Sequence, residues 1–220
     1  MTARGACALA AVAALAASAG DLLLLWVASA GRTELGLPAP PPGALLAGHQ
    51  LGVFAIPLYG FGYWGVARGI GAAHRRAARF VFVTGALGGA YGGVVHGITG
   101  MAEQLERAAG VAPGDPMAFV ARFGAFLVPL WIGLGVAIAA GSVVFAVAIA
   151  RGHSAFPRWM AFANPLVLVL LAALLGAPTP IGRALLVPAA PNLAHVCFFA
   201  LAALALGGRS ASGSGQKPPT

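Results

Sequence analysis

The chain has 220 residues, of which 60% are hydrophobic and only 8% charged, with a formal net charge of +8. Soluble domains carry about 25% charged residues, so too little polar surface is available here to cover a water-soluble globule, and lipid is the natural solvent for the remainder. The positive balance does not indicate a nucleic-acid partner, because the basic residues are spread over short loops and not gathered on one face.

A helix needs roughly 20 apolar residues, at about 1.5 Å each, to cross about 30 Å of hydrocarbon. Six segments meet this requirement: 5–30, 43–67, 79–99, 118–150, 159–177 and 189–207. The first begins after Arg4, and Ala17-Ser18-Ala19 imitates a signal-peptide cleavage site. The apolar run continues through DLLLLWVASA, so the segment reads as an uncleaved first helix. In the fourth segment Pro129 marks a kink or an interfacial turn. In the fifth, FPRW supplies an aromatic and a cation as interfacial anchors, and Asn164 before Pro165 is placed to satisfy local backbone groups. Cys7 and Cys197 lie in apolar runs and read as buried free thiols, and His74 and His153 as solvated loop residues. The fold class is therefore all-α, a polytopic bundle of six transmembrane helices. It forms a single domain over residues 1–208, with a disordered cytoplasmic tail over 209–220.

Charge sets the expected orientation. Arg4, Arg68, Arg75, Arg76, Arg79, Arg151, Arg158, Arg209 and Lys217 fall on one side of the six-span arrangement, whereas Arg32, Arg107, Arg122 and Arg183 fall on or near the other. The first group is expected in the cytoplasm, which puts both termini inside. The acids Glu34, Glu103, Glu106 and Asp115 then lie outside.

With this orientation, polar residues from five helices share the extracytoplasmic half: Asp21, the pair His49-Gln50, His96, Arg122, and Asn192 with His195. Unpaired ionisable groups at that depth cost several kcal/mol, so these side chains are expected to face the bundle interior and to partner one another. His49, Gly52, Ile56, Tyr59 and Tyr63 form one stripe at helical spacing, and Gln50 points about 100° away from it. Gly85-Gly89-Gly93-Gly97 and Gly88-Gly92 make small-residue ridges, the second leading to His96.

Three readings of this cluster are open. His49, His96, His195 and Asp21 are candidate ligands for a divalent metal such as zinc, although no His-x-x-x-His pair or HExxH motif is present. Alternatively, Asp21 and a histidine act as acid and base without a metal. The third reading is structural: hydrogen-bonded polar residues that fix helix register. Arg122, with Glu103 or Glu106, reads as a head-group clamp or as a snorkelling interfacial arginine.

Several short stretches together carry a resemblance: Gly20-Asp21, GHQLGVFAIPLYGFGY over 48–63, His96-Gly97, FPRW followed by Asn164-Pro165-Leu166, and Asn192-Leu193 with Phe198-Phe199. The chain resembles a family of small bacterial multi-pass membrane proteins classed as a domain of unknown function. The likeness covers nearly the whole chain except the tail. It implies an integral protein of the bacterial cytoplasmic membrane and supplies no substrate. Intramembrane metal hydrolases of the alkaline ceramidase type share only scattered His and Asp over several helices, so no residue role is taken from them.

The sequence leads to an integral membrane protein surrounded by membrane lipid, with a polar pocket opening toward the extracytoplasmic leaflet. Its expected chemistry is on a lipid or isoprenoid-like substrate entering sideways from the bilayer. Asp21, His49, His96 and His195 would carry the reaction, with Tyr59, Asn192 and Arg122 binding substrate. The alternatives are a small-solute transporter and a non-catalytic subunit of a membrane complex.

Overall fold

A computed structural model describes residues 1–27, 36, 41, 43–108 and 116–212. Arg32, Glu34, Asp115 and Lys217, read above as topology markers, lie outside the described residues, as do the side chains of Glu106, Arg107 and Arg209. The elements are α1 (Ala3–Val27), α2 (Ala44–Ala55), α3 (Tyr59–Ile70), α4 (Arg75–Ala108), α5 (Pro116–Ala150), α6 (Pro165–Gly176) and α7 (Val187–Ser212).

Local sequence explains the breaks. Pro57 has no N–H to donate to the carbonyl four residues back, so the expected second segment becomes α2 and α3 joined by a 3-10 turn at Ile56–Leu58. Pro129 leaves α5 unbroken. Asn164 caps α6: its Oδ1 accepts from the Val167 N–H at 3.2 Å, and its Nδ2 donates to the Ala161 carbonyl at 2.8 Å.

Among the described residues five helical stretches are long and apolar enough to cross a membrane: Ala3–Leu24, Ala44–Ile70, Ala72–Leu105, Ala121–Ala150 and Val187–Gly208. The fifth expected segment, 159–177, takes a different form. Its first residues make a 3-10 turn at Arg158–Ala161, and α6 has 12 residues, about 18 Å against the roughly 30 Å of hydrocarbon. A π-helical turn at Gly182–Leu186 packs Gly182 against Gly176 and leads into α7. The last helix continues to Ser212, into the stretch whose composition suggested a tail, and residues 213–220 lie outside the described residues.

Neighbouring helices run antiparallel. Gly20 meets Gly48 while Gly65 meets Ala3, Gly85 meets Tyr63 while Gly100 meets His49, and Gly133 meets Tyr91 while Gly141 meets Thr84. Helix α7 returns along α1, bringing Gly207 to Arg4 and Asn192 to Asp21. The arginines of the α3–α4 and α5–α6 connections therefore gather with Arg4 at one end. The Ala155 N–H donates to the Gly69 carbonyl at 2.8 Å, and His74 Nε2 donates to the Gly152 carbonyl at 2.7 Å. His74 is thus a tie between loops and not the freely solvated side chain expected.

The apolar core fills the arginine-rich half. Ala6, Ala10, Ala13, Ala14 and Ala17 line the buried face of α1 and let its neighbours approach closely. Phe145, Phe198 and Phe199 pack beyond them, with Phe145 edge-on to Phe198 at 5.2 Å. The outer surface is greasy: Phe54 is 73% exposed, Leu174 71% and Phe126 69%. Water would not tolerate that surface on a monomer, whereas lipid does. Both cysteines are free; Cys7 is buried as expected, whereas Cys197 lies on the exposed face of α7.

Candidate functional site

Backbone proximity builds the site. A β-carbon on Gly20 would stand 2.8 Å from the Gly48 carbonyl, so α1 and α2 touch main chain to main chain one residue before Asp21. Four residues on from Gly48, the missing side chain of Gly52 leaves the space that the His96 imidazole occupies. Helix α4 thereby inserts His96 between α1 and α2. Its Nδ1 lies 3.3 Å from Asp21 Oδ1, and its Nε2 lies 3.0 Å from the Gly48 carbonyl.

The hydrogen-bond directions follow from chemistry. A carbonyl only accepts, so His96 Nε2 carries a proton and donates it. A hydrogen bond between His96 Nδ1 and Asp21 Oδ1, 3.3 Å apart, needs one further proton, held as imidazolium with carboxylate or as imidazole with carboxylic acid. Asn192 Nδ2 donates to the other carboxyl oxygen, Asp21 Oδ2, at 2.7 Å. The Tyr59 hydroxyl donates to Asn192 Oδ1 at 2.6 Å. A directed chain thus runs from Tyr59 through Asn192 to Asp21.

His195 belongs to a second branch. Its Nδ1 donates to the Pro191 carbonyl at 2.6 Å, which leaves Nε2 to accept from the Tyr63 hydroxyl at 2.8 Å. The Tyr59 ring stacks on the His195 imidazole with centroids 4.8 Å apart and planes 26° from parallel. His96, Asn192 and His195 are all buried, while Asp21 keeps 16% of its side chain accessible.

Both branches line a cavity of about 290 Å³. Asp21, Tyr59, His96, Asn192 and His195 form its polar wall, and Ile56, Trp131, Leu134 and Ile138 its apolar one. Trp131 lines the cavity and is also 49% exposed, so one side chain of α5 borders both the cavity and the outer surface.

The structure thus brings Asp21, His96, Asn192, Tyr59 and His195 to one cavity and leaves two expected site residues elsewhere. His49 packs against Gly100, four residues along α4 from His96, or about 6 Å of helix rise. It does not line the cavity, and its buried Nδ1 has no hydrogen-bond partner among the described residues. Arg122 is exposed on α5 and also does not line the cavity. Among the described residues no three His, Cys, Asp or Glu side chains are grouped to hold a metal ion. Both ring nitrogens of His96 and of His195 are engaged by protein atoms, so the residues present do not fit the zinc reading.

Tyr63 joins the site although the sequence marks it only as a member of the stripe, four residues after Tyr59. Gly52 belongs to the same stripe, and its signal is Gly48-x-x-x-Gly52, a small-residue pair spaced for close helix contact. No curated protein and no solved structure matches this chain. A family model matches residues 2–207, and the chain belongs to that family, DUF6796, a family of unknown function.

Proposed function

We propose that this chain is an integral, multi-pass membrane protein that holds an amphiphilic molecule in the 290 Å³ cavity and exchanges a proton with its polar group through Asp21 and His96. The observation that carries this reading is the 3.3 Å approach of His96 Nδ1 to Asp21 Oδ1 on the wall of an otherwise largely apolar cavity. A group that both accepts and releases a proton suits general acid–base chemistry on a hydroxyl, carbonyl or ester oxygen. The Gly48 carbonyl holds the ring in one orientation, and Asn192 with Tyr59 holds the carboxyl group, so neither partner must reorganise when the proton moves. Trp131, which lines the cavity and is half exposed on the outer face, supports sideways entry of a lipid or isoprenoid-like substrate.

The test is mass spectrometry of amphiphiles extracted from detergent-purified wild type and Asp21→Asn. The amide can reproduce the hydrogen bonds of the carboxylic acid but cannot give up its proton. The variant is expected to retain a molecule differing in composition from that held by the wild type. Identical molecules in both would remove the proton-transfer step.

A further inference from the structure

We propose that a second cleft, at the arginine-rich end, binds the phosphate of an anionic membrane lipid. This inference is independent of the cavity around Asp21. The cleft lies where α3 turns into α4 and has a volume of about 560 Å³. Arg68 reaches it from the end of α3, while Arg75 and Arg79, four residues apart on one face of α4, reach it from the other side. Gly71, at φ 80°, makes the sharp turn that folds these two helix ends against each other.

Three further features favour an anion. Among the described residues no acidic side chain is within ion-pairing distance of Arg68, Arg75 or Arg79. The five acids of the chain are Asp21, Glu34, Glu103, Glu106 and Asp115, so none falls among residues 64–82, which line the cleft. The N-terminal end of the 34-residue α4 also points here, adding the positive end of its dipole. Arg68 is held by its stack over Trp64, with the guanidinium carbon 5.9 Å from the ring centroid.

A lipid fits better than a free ion because the cleft has a greasy margin. Trp64 and Phe82 line it, and Phe80 and Phe82 are exposed on the adjoining surface of α4, where an acyl chain would lie. Basic pockets between transmembrane helices take anionic head groups in this manner, with arginine forking onto phosphate oxygens.

The experiment is native mass spectrometry of the full chain in a neutral detergent, titrated with phosphatidylglycerol, phosphatidylcholine or inorganic phosphate. Wild type should retain phosphatidylglycerol over phosphatidylcholine by about tenfold or more. Arg75→Gln with Arg79→Gln should abolish that preference. Arg76→Gln with Arg151→Gln removes the same charge at the same end but outside the cleft, and should keep it. Thermal unfolding checks that each variant is folded. Should the cleft double variant fail to fold, Arg79→Gln alone must weaken the preference. The proposal is overturned by a wild type that holds both lipids equally, by equal losses in the two double variants, or by an unweakened preference in the cleft variant. It is also overturned if millimolar inorganic phosphate displaces the phosphatidylglycerol.

Discussion

A β-carbon on Gly52 would fall on the imidazole of His96. The glycine therefore determines whether the ring can lie between α1 and α2, where it reaches both Asp21 and the Gly48 carbonyl. Gly52→Ala should force the ring out and overpack the helix contact, lowering stability by about 1–3 kcal/mol. Gly60→Ala is the matched control, since nothing lies within 4 Å of a β-carbon there. Thermal unfolding in detergent should separate the two. Equal midpoints would show that the notch does not position His96.

Asp21 distinguishes hydrogen bonding from proton exchange. In Asp21→Asn the amide can donate to His96 Nδ1 and accept from Asn192, so the fold should stay within about 1 kcal/mol of wild type. Asp21→Leu strands both partners in an apolar setting and should cost about 2–5 kcal/mol. Chemical unfolding of the three proteins gives the comparison. An Asn variant as unstable as the Leu variant would mean that the charge itself holds the helices together.

The Tyr63–His195 pair is expected to act as a unit. Tyr63→Phe leaves His195 Nε2 buried without its donor, a loss of about 1–3 kcal/mol. Combining it with His195→Phe should cost less than the sum of the two single changes, since neither polar partner is then left alone. Strict additivity in a double-mutant cycle would deny the bond an energetic role.

Two residues prominent in the sequence should be silent at the cavity. His49→Leu removes a side chain whose Nδ1 has no partner among the described residues, so the stability change should stay within about 1 kcal/mol. Arg122→Gln alters an exposed position. Neither variant should change the amphiphile recovered from purified protein. A loss in His49→Leu would bring that histidine back into the site.

These expectations show how far the residues alone could be read. Lipid as solvent and helix as element followed from apolar run lengths, and most of the cavity's polar wall followed from placing polar residues at a common depth. Run lengths fix depth only to within a turn, so His49 and His96 share an expected depth although His49 faces Gly100, one turn along α4. The choice between them rests on Gly48 and Gly52, which set where α1, α2 and α4 touch. An absent side chain gives no chemical signal until its neighbour is known. The shortness of α6 was hidden for a related reason. Its 12 residues are apolar throughout, and the apolar run around them is long enough to span, but Asn164-Pro165 starts the helix late and the turn after Gly176 ends it early.

Gly88 offers the decisive substitution for asking whether the cavity holds an amphiphile. Gly88 lines the cavity, and a β-carbon there would have no neighbour closer than 3.9 Å. Gly88→Leu should therefore fill the space while leaving Asp21 and His96 in place. The measurement is the amount of amphiphile extracted per mole of purified protein, compared with wild type at equal detergent and lipid. Wild type is expected to carry a defined molecule, and a folded Gly88→Leu protein to have lost it. Equal recovery from both would place the molecule elsewhere on the protein and leave the cavity without an occupant.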